Sequence, residues 1–204
     1  MYKVFFDNRT IFLTNQFEKY YNKYNGLFIK YLNEIQLAYV LELFKSIEDI
    51  QNVFIIYHDV EKIFNEFQSF FRFVEAAGGL VTNEKGEYLV IKRRGKWDLP
   101  KGKLDKEENP DKAAIREVRE ECNVWPLKIH DILKTTYHAY ILEGVLFLKR
   151  TYWYQMKHEG NVTPSPQTEE DITQAKWLKK EDLKIFRENT YQSILDVLKA
   201  GEAL

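Results

Sequence analysis

The stretch Gly102–Val124, GKLDKEENPDKAAIREVREECNV, sets the tightest limit on what this chain can fold into. Pro110 fits the first turn of a helix, where its missing N–H costs nothing. From there Ala114, Ile115, Val118 and Cys122 fall on one side at 3.6-residue spacing, which predicts an amphipathic helix with a buried stripe. Taking Val118 as the reference and about 100° per residue, Glu117, Glu121 and Glu120 point to about −100°, −60° and −160°. Three carboxylates therefore crowd an arc of roughly 100° beside the apolar stripe. Like charges this close repel, so something of opposite charge belongs among them. Hard oxygen donors on a rigid face suit magnesium or manganese. Taken by itself, the helix also reads as a solvated acidic face balanced by Arg116 and Arg119.

Composition narrows the setting. The chain has 204 residues, which suits one or two domains, and 45% of them are hydrophobic, enough for a core. Thirty Lys and Arg against 31 Asp and Glu give a formal net charge of −1, which argues against a protein built to coat nucleic acid. Cys122 is the single cysteine, so no intrachain disulfide or cysteine-rich metal site is available. The N-terminal MYKVFFDNRTIFLT lacks the apolar run of a signal peptide, and no segment approaches the roughly 18 apolar residues of a membrane span. The expectation is a soluble, cytoplasmic protein with no membrane partner.

Along the chain, residues 1–71 read as a small α/β unit. YKVFF and TIFLT flank a turn at Asp7-Asn8-Arg9. Asn33 is placed to cap a helix through EIQLAYVLELFKS, with Gln36 at the capping-box position. NVFIIY suits a buried strand, and Asp59 caps a helix in which Val60, Ile63, Phe64, Phe67 and Phe71 share a face. A second unit, 72–204, begins with the strand pair FVEAAGGLV and EYLVIKR, joined by TNEKG with Gly86 near its end. RRGKWDLPKGK reads as a basic loop before the carboxylate helix. The long strands DILKTTYHAYI and VLFLKRTYWYQM follow, then a polar stretch, the strand AKWL and a terminal helix in NTYQSILDVLKA.

The carboxylate stretch resembles the Nudix box, G-x5-E-x7-R-E-U-x-E-E-x-G-U, where U is a bulky aliphatic residue. Gly102, Glu108, Arg116, Glu117, Val118, Glu120, Glu121 and Val124 match, eight of nine specified positions. Asn123 stands where the pattern has its second glycine; asparagine is the next most tolerant residue for the left-handed conformation that ends a helix. The resemblance implies an α/β/α sandwich with a mixed β-sheet, here preceded by the small α/β N-terminal domain. It implies a divalent-metal-dependent hydrolase that cleaves a phosphoanhydride of a nucleoside diphosphate derivative, with Mg2+ or Mn2+ as cofactor. By similarity, Glu117 and Glu121 hold the metal with help from the Gly102 carbonyl. Glu120 is either a further ligand or the residue that activates water. Arg116 orients a box carboxylate by a charged hydrogen bond, and Glu108 steadies the loop or an outer-shell water.

Outside the box, some relatives take a further carboxylate from a loop after the later strands; Glu169, Glu170 and Asp171 fall there, with Glu170 preferred. Arg94 and Lys101 stand out among the basic residues as phosphate contacts, since arginine binds phosphate bidentately and lysine supplies a point charge. Trp97 and Tyr140 are candidates to stack on a base, against the alternative of core packing. The Pro-Lys-Gly run at Pro100–Gly102 resembles the branch acting on diadenosine polyphosphates, which makes dinucleoside polyphosphates the first small-molecule substrates to try. A non-catalytic nucleotide or sugar-nucleotide sensor and an RNA 5′ pyrophosphohydrolase are the competing readings. The resemblance is silent on residues 1 to about 70, which are free to mediate a homodimer, to cover the mouth of the site or to complete the fold.

Overall fold

A computed structural model describes residues 1–204. Close packing separates two compact units, one of residues 1–74 with 137–149 and one of residues 75–136 with 150–204. The sequence reading divides the chain at 71/72 and leaves residues 137–149 with the second part; in the structure they pack with the first.

In the first unit β1 (Tyr2–Phe6) and β2 (Arg9–Thr14) form a hairpin whose turn starts at Asp7, φ 51°. β2 runs parallel to β4 (Asn52–Ile56), and β4 parallel to β3 (Leu27–Lys30). β1 also pairs in parallel with Tyr137 and His138 of β9 (Leu127–Leu142), so this sheet is mixed. Two helices predicted from their caps are present. Asn33 accepts the N–H of Gln36 at the start of α2 (Glu34–Ser46), and Asp59 accepts that of Lys62 at the start of α3 (Val60–Gln68). Side chains alternate along the strands: Ile11, Leu13, Val53 and Ile55 meet Leu37, Leu41 and Phe44 of α2 and Ile63 and Phe67 of α3. The opposite face carries Phe12, Phe54 and Phe28, packed with Tyr20 of the short α1 (Phe17–Tyr21). Neither α1 nor β3 was expected, because segments of five and four residues carry no periodicity to read.

The second unit orders its strands β11-β6-β5-β10-β9. β5 (Arg72–Thr82) and β6 (Tyr88–Arg93) are antiparallel neighbours, and the intervening turn uses Gly86 at φ 74°. β10 (Val145–His158) follows β9 through Glu143-Gly144, both at positive φ, and β11 (Ile172–Leu178) runs antiparallel to β6. The segment expected as a basic loop instead holds two three-residue strands, β7 (Lys96–Asp98) on β6 and β8 (Lys101–Lys103) on β5. Strands that short cannot show alternation in sequence. On one face, Ala77, Val81, Leu89 and Ile91 pack on Ala113, Ala114, Val118 and Cys122 of α4 (Pro110–Cys122). On the other, Leu80, Val90 and Trp153 pack on Leu183 and Phe186 of a 3-10 stretch and on Ile194, Val197 and Leu198 of α5 (Gln192–Ala200). Helices on both faces explain why β6 is apolar at successive positions rather than alternating.

Candidate active site

α4 begins at Pro110 and ends at Asn123, whose φ and ψ of 53° and 36° are left-handed, as the missing glycine requires. Its buried face is turned toward the acids. Ile115, expected in the apolar stripe, is exposed, while Ala113 is buried and Glu117 and Glu121 are 6% and 0% exposed. The buried arc thus centres between Val118 and Glu117, which leaves Ile115 on its rim. Two glutamates lie inside the protein, and their surroundings explain how.

Gly102, on β8 opposite Ala77 of β5, is the first reason. The Glu117 carboxylate lies against its Cα so closely that any Cβ there would overlap it. This is a glycine required by close approach rather than by a turn.

Arg116 is the second reason. It sets a fork on Glu108, from Nε at 2.9 Å and Nη2 at 2.7 Å. Its Nη1 donates to Glu117 at 2.8 Å and to Glu120 at 2.9 Å, and Nη2 also reaches the Lys103 carbonyl at 3.0 Å. The positive charge that the clustered glutamates demand is therefore provided within the chain. Glu108 additionally accepts the N–H of Asp105 at 3.0 Å. The Arg116 hydrogen bonds outweigh burial and hold the Glu108 carboxyl below its usual range.

Glu121 is served differently. One oxygen accepts the backbone N–H of Lys101 at 2.9 Å and the other faces Arg93 Nη1 at 3.3 Å. Desolvation nevertheless dominates and pushes its carboxyl up to about 7, against the charges of Lys101 and Arg93. Desolvation also raises Glu117, against Arg116. Carboxylates that burial keeps from ionising, even beside these cationic side chains, favour a further cation.

Arg93 is the residue that sequence reasoning passed over. Its second nitrogen donates to Glu170 at 3.1 Å, so one guanidinium spans the box helix and the loop before β11. Glu170 ends a 3-10 turn, Thr168–Glu170. The preceding Gln167 donates its N–H to the Glu121 carbonyl at 3.1 Å, pinning that loop to the end of α4. Arg94, the neighbour singled out from sequence, sits at φ 50°; its exposed side chain pairs with Asp171 at 3.1 Å. The turn swings it off the strand, and no alternation rule reveals such a swing.

Of the remaining candidates, Lys101 joins this group through its backbone N–H and its charge on Glu121. The Lys101 ammonium is 12% exposed and donates to Asp98 at 2.5 Å and to the Leu99 carbonyl at 3.4 Å. Trp97 packs near Phe186 with the ammonium groups of Lys176 and Lys92 over its ring, at 4.6 and 5.5 Å. Tyr140 belongs to the first unit, where it stacks on Phe147 at 5.4 Å.

The donor chemistry fits a divalent cation: carboxylate oxygens of Glu117, Glu120 and Glu121 and the Gly102 carbonyl are the hard ligands that Mg2+ and Mn2+ prefer. In this conformation no three His, Cys, Asp or Glu side chains gather as a cluster for a metal. Arg116 holds the Glu117 and Glu120 oxygens that a cation would take, and Arg93 and the Lys101 N–H hold those of Glu121.

The NUDIX domain profile matches residues 72–198. Among curated proteins, the m7GpppN-mRNA hydrolase dcap-2 of Caenorhabditis elegans is 26% identical over 62% of this chain and 16% of its own length. An RNA pyrophosphohydrolase of Marinomonas sp. (strain MWYL1) is 35% identical over 28% of this chain and 37% of its own. A putative 8-oxo-dGTP diphosphatase of Bacillus subtilis (strain 168) is 39% identical over 24% and 34%. The matches thus span well under half the length of each of these relatives. Among solved structures, an Ap4A hydrolase binary complex from C. elegans superposes with a TM-score of 0.52 and 28% identity, covering 64% of this chain and 96% of that one. A MutT protein from Methanosarcina mazei Go1 shares the fold at a TM-score of 0.50 and 22% identity. Because the profile covers more than half of its residues, this chain belongs to the Nudix family.

Proposed function

We propose that the chain is a divalent-metal-dependent hydrolase of phosphoanhydride bonds in nucleoside diphosphate derivatives, with dinucleoside polyphosphates the leading substrates. The observation that carries this reading is the pair of buried glutamates, Glu117 and Glu121, on one helix, with the Glu117 carboxylate seated where a Cβ on Gly102 would displace it. Likeness to an Ap4A hydrolase at 28% identity supports the substrate class.

Glu117, Glu121 and the Gly102 carbonyl would hold the ion, with Glu120 as a further donor. When bound, the ion neutralises phosphate oxygens and lowers the pKa of water. The protein's own work is positioning. Arg116 fixes Glu117 and Glu120 relative to each other and to Glu108. Arg93 does the same for Glu121 and Glu170. Glu120 and Glu170 are the more exposed carboxylates, at 49% and 41%, and one of them takes the proton of the attacking water. The water oxygen bonds to phosphorus, the bridging P–O bond breaks, and the leaving phosphate departs with the bridging oxygen. Both candidates pair with a carboxylate, Arg94 with Asp171 and Lys101 with Asp98, and exposed Arg94 is the better phosphate contact because it is the more accessible. Trp97 remains the base-stacking candidate.

Release of nucleoside monophosphate or phosphate in magnesium tests the reading. Glu121→Gln should lower the rate by roughly 10²-fold or more, with a circular dichroism spectrum confirming that the variant folds. An unchanged rate refutes the mechanism, and tight ligand binding without turnover would favour a sensor.

A second substrate class has its own support: two of the relatives are named as an m7GpppN-mRNA hydrolase and an RNA pyrophosphohydrolase. Assaying 5′-triphosphorylated RNA beside a dinucleoside polyphosphate separates the two.

We also infer a homodimer through α2. Ile35, Tyr39 and Leu43 on its outer side are 69%, 72% and 42% exposed, and Leu32 and Ile47 extend the stripe beyond its ends. Exposed apolar patches of this kind mark association surfaces.

A further inference from the structure

The first unit contains a cavity of about 740 Å³ unconnected with the hydrolytic chemistry. Its origin lies in the sheet. β2, β4 and β3 are parallel, and on the face away from α2 and α3 the rings of Phe12, Phe54 and Phe28 stack in one row, centroids 4.5 and 4.4 Å apart. The next residues on that face, toward the carboxyl ends of the strands, are Thr14, Ile56 and Lys30 in register. This side is covered by α1, five residues long, and by Tyr24 just after it. The space they leave opens at the carboxyl ends of the parallel strands, the place where α/β units take ligands. Its volume falls within the range of small-molecule sites.

The lining has a definite chemistry. Ile56 floors it; Phe17 and Phe28, edge to face at 5.7 Å, form one wall. Tyr57 and His58 bound the other side; the Tyr57 ring itself packs away from the space, against Tyr31 at 4.8 Å in the α2 and α3 core. Lys30 is exposed at the rim, Asn15 offers an amide, and no carboxylate lines the cavity to answer the lysine charge. An aromatic wall takes a planar ring, while an ammonium beside an imidazole takes an anion.

We propose that this cavity binds a small anion bearing a planar ring, of the nucleoside monophosphate class. The base lies against the wall formed by Phe17 and Phe28, and the phosphate is held by Lys30 and His58. Asn15 meets the polar edge of the base. The proposal does not depend on the hydrolytic reading.

Calorimetric titration of the full chain in chelator tests it, with AMP, GMP, CMP and UMP as probes and adenosine and inorganic phosphate as half-ligands. At least one monophosphate should bind saturably, one per chain, with each half-ligand at least about tenfold weaker. Lys30→Glu and Phe17→Ala, both at exposed positions, should each weaken binding by about tenfold, whereas Glu121→Gln should leave it unchanged. Absence of saturable binding up to millimolar monophosphate overturns the proposal. So does binding that Glu121→Gln abolishes and Lys30→Glu spares.

Discussion

α2 and α4 are both 13 residues long, and they break the rule of polar outside and apolar inside in opposite ways. α4 takes glutamates into the protein and leaves Ile115 at the surface. α2 packs Leu37, Leu41 and Phe44 inward, then exposes Ile35, Tyr39 and Leu43 on its other side. Each breach costs stability in water: a desolvated charge on α4 and unburied apolar area on α2. The two costs call for different remedies. A buried carboxylate is relieved by a cation or a guanidinium, and an exposed isoleucine by another apolar surface. The sign of the breach thus indicates the kind of partner.

The strongest way to break this contrast is to strip the cation. With chelator present, hydrolysis should fall by roughly 10²-fold or more and return with added manganese; catalysis that survives chelation would leave the α4 acids without the role assigned to them. Next comes Gly102→Ala. Its methyl group displaces the Glu117 carboxylate, so turnover should drop about 10- to 100-fold, while overpacking costs about 1–3 kcal/mol in a denaturant melt. On α2, Tyr39→Glu should weaken self-association about tenfold or more in sedimentation and change monomer stability by no more than about 0.5 kcal/mol. The α4 substitutions should leave association as it is.

A paired carboxylate away from both helices sharpens the electrostatic side. Burial pushes the Glu75 carboxyl up, but hydrogen bonds from Arg150 at 3.1 Å and Tyr152 at 2.8 Å outweigh it and leave the group lowered. A depressed carboxylate contributes stability that is present above its unfolded pKa and is lost as pH falls through the folded one. Acid titration should therefore show Glu75→Gln losing less stability than wild type below the ordinary carboxylate range. The smallest effect is at the end of α4. Asn123→Gly should change stability by only a few tenths of a kcal/mol and leave catalysis alone, whereas Asn123→Ala should cost about 1 kcal/mol in the left-handed position.

What could be read from sequence follows from the range of the forces involved. Helix caps at Asn33 and Asp59 and the left-handed stop at Asn123 are local, and all three stand where the residues foretold. The box carboxylates were legible because helical spacing converts sequence into direction. Their counter-ions were legible only in part. Arg116, expected to orient a box carboxylate, contacts Glu108, Glu117 and Glu120 together. Arg93 reaches Glu121 and Glu170 across 28 and 77 residues of chain, a pairing that no local pattern encodes. β7 and β8 escaped notice because three residues do not make a period.

Residues 137–149 carry a practical lesson for anyone wishing to study the Nudix domain alone. Ala139 and Leu148 lie in the first unit's core, 2% and 0% exposed, beside strands formed by the opening residues of the chain. Cutting the gene after codon 71 would strip away those neighbours and leave a sticky, half-clothed hairpin arm. Cleaner surgery would shorten that arm in the same stroke, bridging Thr136 to Arg150 with a brief turn.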